Sequence, residues 1–274
     1  MLNSSVSVMR GAQTSPRETR NLFRLLDFLV LGMQFSRGTV FAPLGQDRDG
    51  LPEAPNPILS YFNAHTEGPG IWKWMHYFDI YHRHFRKFVG REVHVLEVGI
   101  YSGGSFSMWG EYFGKGCRLY GVDIREATMA CEDMGIKVFI GDQADRSFWT
   151  RIKKAVPTID ILIDDGGHLP EQQRVTLEEM LPHIAPGGVY LCEDIHGVSN
   201  PFAAYLQGLA SSLNFVSPDE VPGTSDLACI PSNFQAAISS IHLYPFVAVI
   251  EKRERNLDRL VCPKHGTQWL YPYP

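Results

Sequence analysis

From residue 93 onward, short apolar runs alternate with stretches whose apolar positions recur every three or four residues. The runs at 93–98, 118–124, 137–140, 159–164 and 189–192 read as buried strands. Helical spacing predicts helices near 105–113, 126–134, 145–155, 170–183 and 201–213. Strands that alternate with helices at this interval form a parallel sheet covered on both faces. The end of the pattern differs. Residues 240–244 and 246–251 are strand-like runs separated only by Pro245, a link too short for a crossover helix, so they must pair antiparallel. The expected fold is therefore α/β, a doubly wound and mostly parallel seven-stranded sheet closed by an antiparallel hairpin.

Upstream, Ser15-Pro16-Arg17-Glu18 reads as a helix start, with Ser15 as N-cap, Pro16 at the first helical position and Glu18 closing a capping box. That helix is expected to reach about Phe35, with Leu22, Leu25, Leu26 and Leu29 on one face. Residues 36–70 are rich in Pro and Gly and read as a loop. A second helix is expected over 71–89, with Ile71, Trp74, Met75, Phe78, Tyr81, Phe85 and Phe88 at helical spacing and Gly90 as its stop. This divides the chain into a helical N-terminal extension (1–70), a central domain (71–252) and a C-terminal tail (253–274).

Composition narrows the classes without choosing one. The chain has 274 residues, 44% hydrophobic and 20% charged, enough for one large domain with an added segment. Its formal net charge is −5 and no Lys/Arg block stands out, which speaks against nucleic acid as a partner. Five scattered cysteines with no CxxC pair suit reduced thiols. The longest early apolar stretch, 22–35, is broken by Arg24 and Asp27 and falls short of the roughly 20 residues that span a bilayer. No signal-peptide pattern is present, so the expected location is cytoplasmic, without membrane partners.

Candidate chemistry collects at strand ends. Glu97-Val98-Gly99-Ile100-Tyr101-Ser102-Gly103-Gly104-Ser105 is a strand entering a Gly-rich turn and then a helix. Such a turn lets the backbone approach a ligand at the C-terminal edge of the sheet. A dinucleotide site wants glycine where Tyr101 stands, so S-adenosylmethionine (SAM) fits better than NAD. Glu97 suits the polar head of SAM, Asp123 its ribose hydroxyls, and Asp142 with Gln143 its adenine amine. The next two strands run into Asp164-Asp165-Gly166-Gly167-His168 and Cys192-Glu193-Asp194-Ile195-His196. Carboxylates meeting at one rim repel unless a cation is present, and hard oxygen ligands suit Mg²⁺, with Mn²⁺ or Ca²⁺ as alternatives. Because side chains alternate, Asp164 is expected to face the SAM amino group and Asp165 the metal, with Glu193 and Asp194 completing the set. His168 is the candidate general base, His196 a supporting residue, and Cys192 a core residue. Tyr81-His82-Arg83-His84 reads as a solvated helix face, and Trp72 and Trp74 as packing residues.

Lys73-Trp74-Met75-His76-Tyr77-Phe78, the glycine turn, Gly141-Asp142-Gln143, Ile163-Asp164-Asp165-Gly166-Gly167-His168 and Cys192-Glu193-Asp194-Ile195-His196 together resemble the metal-dependent sugar O-methyltransferases of macrolide and tetracenomycin biosynthesis, with cephalosporin hydroxylase-like proteins as relatives. The resemblance covers roughly residues 70–252. It implies a Rossmann-like class I methyltransferase fold and a Mg²⁺ site at Asp165, Glu193 and Asp194. It further implies His168 as proton acceptor, and SAM contacts at Glu97, Val98, Gly99, Ile100, Tyr101, Ser102, Gly103, Asp123, Asp142, Gln143 and Asp164. The implied activity is methyl transfer to a hydroxyl of a sugar or other polyhydroxylated small molecule in antibiotic biosynthesis, with a homo-oligomer as a further expectation. The competing readings are a hydroxylase-like enzyme and a non-catalytic SAM-binding module. The N-terminal region is shorter than in the macrolide enzymes, and the aromatic tail Trp269–Pro274 has no counterpart.

Overall fold

Alternation along the central strands decides where the rest of the chain sits. The computed structural model describes residues 55–268, apart from 198, 216–218, 221 and 223–225. The expected helix at 15–35 and the aromatic tail lie outside the described residues. Strands β1 (Val93–Val98), β2 (Cys117–Asp123), β3 (Lys137–Ile140), β4 (Ile159–Asp164) and β5 (Ile184–Cys192) are parallel. β8 (Ile238–Tyr244) and β9 (Val247–Lys252) complete a seven-stranded sheet of order β3-β2-β1-β4-β5-β9-β8, with β9 antiparallel to both neighbours. This is the expected Rossmann-like arrangement, with strand limits displaced by a residue or two except at β5, which starts five residues earlier than 189. The sequence of 184–188 hides that extension, since Pro186, Gly187 and Gly188 are poor strand residues.

Each face of the sheet carries its own core. Leu96, Val98, Leu162, Tyr190 and Cys192 point to the side of helices α4 (Arg146–Ala155), α5 (Pro170–Met180) and α6 (Pro201–Ser212), where they pack on Phe148, Trp149, Val175 and Leu206. Val93, Val95, Ile161, Ile163, Val189 and Leu191 point to the other side, against α1 (Pro57–Ala64), α2 (Tyr77–Phe85) and α3 (Gly104–Phe113), where they meet Ile58, Phe78, Tyr81, Phe85 and Trp109. The period of two continues past the strand ends, so Glu97, Asp165 and Glu193 belong to the second face and Asp164 to the first. Helix starts are built from local chemistry. Asn56, Asp145 and Asn200 each accept a hydrogen bond from an N–H of the first turn that they cap.

Four expectations are corrected. The loop over 36–70 contains α1, whose Asn56 cap and Pro57 make a proper N-terminus inside a Pro-rich stretch. The helix over 71–89 shrinks to α2 plus a 3-10 turn at Arg86–Phe88, because residues 71–74 are not helical and 75–76 form only a turn leading into α2. From this segment Lys73 makes buried ion pairs with Glu97, Asp165 and Glu193, and breaking such pairs by removing one partner costs about 3–5 kcal/mol. The tail over 253–274 includes β10 (Leu260–Cys262), which joins β6 (Asp219–Glu220) and β7 (Leu227–Cys229) in a small antiparallel sheet. A short helix, α7 (Asn233–Ala237), begins with a Ser232–Gln235 capping box and leads into β8. His84, expected on a solvated face, is buried, its Nδ1 2.9 Å from Glu251 Oε1 and its Nε2 2.9 Å from the Tyr244 hydroxyl.

Gly99 joins fold to site. Its φ is +92°, and a Cβ there would stand 2.0 Å from the Asp165 carbonyl oxygen. Gly99→Ala is expected to destabilise by about 2–4 kcal/mol through left-handed strain and displacement of the Asp165 segment, read as a fall in Tm of several degrees by calorimetry. An unchanged Tm would contradict the close approach.

Candidate active site

A cavity of about 730 Å³ opens at the C-terminal ends of β1, β2, β4 and β5. The glycine turn, Asp123, Asp142 and Gln143 border one end, and Asp165, His168, Glu193, Asp194 and His196 the other, with the segment Gly70–Met75 across them. Val98, Gly99, Ile100 and Tyr101 line it, whereas Ser102 and Gly103 do not. Trp72 and Trp74, expected as packing residues, border this opening instead, and Trp72 is 88% exposed.

The turn is held by its neighbour strand. Asp123 Oδ2 accepts hydrogen bonds from the Ile100 and Tyr101 backbone N–H groups at 2.9 and 3.2 Å, and Oδ1 accepts one from Arg125. Gln143 is equally engaged, since Nε2 donates to Asp164 and Thr176 while Oε1 accepts from the Gly167 N–H. Two further residues expected against SAM, Glu97 and Asp164, do not line the cavity either. Glu97 is fully buried and accepts from Ser105 Oγ (2.6 Å) and Trp109 Nε1 (3.2 Å). Asp164 is buried on the opposite face, between Gln143 Nε2 (2.9 Å) and the Tyr190 hydroxyl (3.2 Å). The alternation that separates Asp164 from Asp165 holds, but it turns Asp164 toward the core. Burial lifts the Asp164 carboxyl to about 7, against the opposing hydrogen bonds from Gln143 and Tyr190.

The acidic rim has a cation of its own. Lys73 Nζ lies 2.6 Å from Asp165 Oδ2, 3.0 and 3.1 Å from the two Glu193 oxygens and 3.5 Å from Glu97 Oε1, with its side chain 3% exposed. Burial alone would discharge this ammonium, but the three carboxylates outweigh burial and keep it charged. Glu193 also accepts from the Tyr81 hydroxyl at 2.6 Å, so both of its oxygens are engaged inward. Asp194 Oδ1 accepts from the Tyr77 hydroxyl (2.7 Å) and Trp74 Nε1 (3.1 Å). Lys73 and Tyr77 stand beside Trp74 in a motif whose sequence alone assigns neither of them a role. A lysine among aromatic residues gives no hint of a partner 92 positions away.

Asp165 Oδ1 and Asp194 Oδ2 are left facing His168, whose Nε2 lies 3.9 and 3.6 Å from them. Ligand atoms of Asp165, His168 and Asp194 all fall within 4.8 Å of one another; the two carboxylate oxygens suit a hard divalent ion, and the imidazole nitrogen stands beside them within reach of a bound hydroxyl. Glu193, expected as a third ligand, stands behind them on Lys73. Among the described residues, four non-glycine residues have positive φ: Tyr101 (49°), His168 (57°), Asp194 (54°) and Phe246 (65°). Three line the cavity, and the Phe246 ring packs 5.6 Å from that of Trp74. Such conformations cost about 1–3 kcal/mol each and persist where surrounding structure imposes them.

A methyltransferase-domain family model matches residues 96–195, from β1 to just past β5. Demethylmacrocin O-methyltransferase of Streptomyces fradiae is 34% identical, over 94% of this chain and 69% of its own length. Mycinamicin VI 2''-O-methyltransferase of Micromonospora griseorubida is 33% identical, over 63% of this chain and 47% of its own. Among solved structures, the MycE methyltransferase from the mycinamycin biosynthetic pathway, in complex with Mg and SAH, aligns with a TM-score of 0.58 at 27% identity, covering 74% of this chain and 55% of that one. The chain thus spans about half the length of these last two proteins.

Asp164 gives the core a pH signature. Its folded pKa of about 7 stands above the unfolded value of about 3.9, so its contribution is complete below about pH 4 and lost as pH rises through about 7. Chemical denaturation of wild type and Asp164→Asn should show the stability difference moving against wild type across that interval and levelling above it. A difference independent of pH would mean that Asp164 is ionised throughout.

Proposed function

The chain belongs to the macrolide and tetracenomycin sugar O-methyltransferase family, and from that membership we propose that it transfers a methyl group from SAM to a sugar hydroxyl of a glycosylated small molecule with the help of a divalent ion. The observation that carries the reading is the convergence of Asp165 Oδ1, Asp194 Oδ2 and His168 Nε2 at one end of a cavity whose other end is the glycine turn. MycE, bound to Mg and SAH, and its complex that also holds mycinamycin VI support the same pair of cofactors here. When bound, SAM supplies an electrophilic methyl group and Mg²⁺, or Mn²⁺ or Ca²⁺ in its place, a Lewis acid that eases removal of a hydroxyl proton.

The chain's own residues supply position and proton transfer. Val98, Gly99, Ile100 and Tyr101 present backbone to the cofactor, with Asp123 fixing the turn and Asp142 beside it for polar contacts. Asp165 and Asp194 offer free oxygens to the ion. His168 Nε2 takes the acceptor's proton, and Asp194, 3.6 Å away, favours the imidazolium that results. His168 holds a left-handed backbone (φ 57°) at the cavity wall, and methyl transfer, an in-line displacement, is governed by such positioning. Trp72, Trp74 and Tyr101 give the acceptor exposed aromatic faces at the opening. The hydroxylase-like alternative gains nothing from the geometry. The two-imidazole, one-carboxylate set His84, His242 and Glu251 borders none of this cavity. No helix of the described residues is long and apolar enough to cross a membrane, and we assign the reaction to the cytoplasm, on a small molecule and not on nucleic acid.

Incubation with labelled SAM, Mg²⁺ and deoxysugar-bearing macrolides should label one sugar oxygen, traceable by mass spectrometry. EDTA should abolish turnover, and activity that survives EDTA refutes the role of the metal. His168→Ala should lower kcat by about 100-fold or more, and an unchanged rate removes His168 from the mechanism.

A further inference from the structure

We infer that His84, His242 and Glu251 form a second metal site, outside the catalytic cavity, that takes Zn²⁺ and fastens α2 to the outer edge of the sheet. The inference goes beyond the catalytic reading and does not depend on it.

Register brings the three residues together. β8 is an edge strand of the seven-stranded sheet, and its Ser240 lies opposite Glu251 of β9. Alternation puts His242 and Tyr244 on the same face as Ser240, and α2 brings His84, which is buried, against that face. The two imidazole rings stand 4.7 Å apart between centroids, and His84 Nδ1 lies 2.9 Å from Glu251 Oε1. Ligand atoms of all three residues fall within 4.8 Å of one another. Around a tetrahedral Zn²⁺, with bonds of about 2.0–2.1 Å, ligand atoms stand about 3.3–3.4 Å apart. Side-chain movements of about an ångström therefore turn the cluster into a coordination shell. Each ring also has a hydroxyl beside its Nε2 at 2.9 Å, Tyr244 for His84 and Ser240 for His242. Outer partners of this kind orient metal-bound imidazoles.

The charge states suit an ion. Burial and the neighbouring His84 push the His242 imidazole below its ordinary range, which keeps the ring in the neutral form that coordinates. The hydrogen bond from His84 holds the Glu251 carboxyl down at about 2, so it is ionised. The cations nearby are Arg83, which acts on His242, and Lys87, whose Nζ is 3.7 Å from Glu251 Oε1. The Lys87 side chain is 40% exposed, so it can yield its place to an ion and turn to solvent. Two nitrogens and one oxygen favour Zn²⁺, whereas Mg²⁺ demands oxygen, so this site and the acidic rim select different ions. The helix it would anchor carries Tyr77 and Tyr81, whose hydroxyls hold Asp194 and Glu193 at the rim.

Titration of the full chain with Zn²⁺ in excess Mg²⁺, by calorimetry and by thermal unfolding, tests the site. One ion per chain is expected, raising Tm by several degrees at about 100 times its Kd. His242→Gln and Glu251→Gln, both at half-buried positions, should each weaken binding by about 100-fold or more, beyond the loss of an outer partner. Asp194→Asn should leave it unchanged. His84→Gln should behave as His242→Gln does, and the other two variants decide the question even if it does not fold. A wild type that binds no Zn²⁺ overturns the site, as does unaltered binding in both His242→Gln and Glu251→Gln. Binding abolished by Asp194→Asn would place the ion at the rim and overturn it too.

Discussion

Like charges at the ends of adjacent strands must be neutralised, and this chain meets that demand with a buried lysine. β1, β4 and β5 are neighbours in register, so the second-face residues at their tips, Glu97, Asp165 and Glu193, converge by geometry alone. Inside the protein such a trio would protonate or spread apart. Lys73 opposes both, although burial still holds the Glu97 and Glu193 carboxyls above their ordinary range, and it reaches them from a segment that is not helical. The segment expected to lengthen α2 instead borders the cavity, with Lys73 turned inward while Trp72 and Trp74 stay open to solvent.

The same arrangement explains why the cavity has two chemically distinct ends. At the glycine turn, Asp123 is bound to backbone N–H groups, and Gln143 to Asp164, Thr176 and Gly167, so those side chains act first as scaffolding. At the rim, free carboxylate oxygens and an imidazole face one another over a few ångströms. A ligand spanning both ends would bring the group held at the turn up to whatever the rim holds. That is the geometric requirement for group transfer between two bound partners.

Strain gathers at the same place. His168 and Asp194, 3.6 Å apart at the rim, both stand in the left-handed region that side-chain-bearing residues avoid. Gly99 is left-handed beneath them, and there the absence of a Cβ lets the Asp165 carbonyl approach. Packing on both faces of the sheet makes this tolerable. Large side chains such as Trp109, Trp149, Phe85 and Tyr190 are wholly buried, and each contributes stabilisation comparable to or larger than one strained residue costs.

The sequence by itself determined the sheet, because a two-residue period and a helical period are local properties that any segment displays alone. It also located the glycine turn, Asp123, the Asp165–His168 loop and the Glu193–Asp194 pair, since those residues stand at strand ends and strand ends are legible. It could not say which way each carboxylate is used. Asp164 turned to the core and Glu97 to α3 because Gln143, Tyr190, Ser105 and Trp109 were waiting there, partners brought up by packing and distant in sequence. Helix α1 was obscured by its Pro-rich surroundings, and the small sheet of β6, β7 and β10 by the brevity of its strands. Lys73 is the clearest case. The helical spacing of Ile71, Trp74 and Met75 around it is real, but Lys73 finds its partners on three strands, charges that the tertiary fold alone gathers.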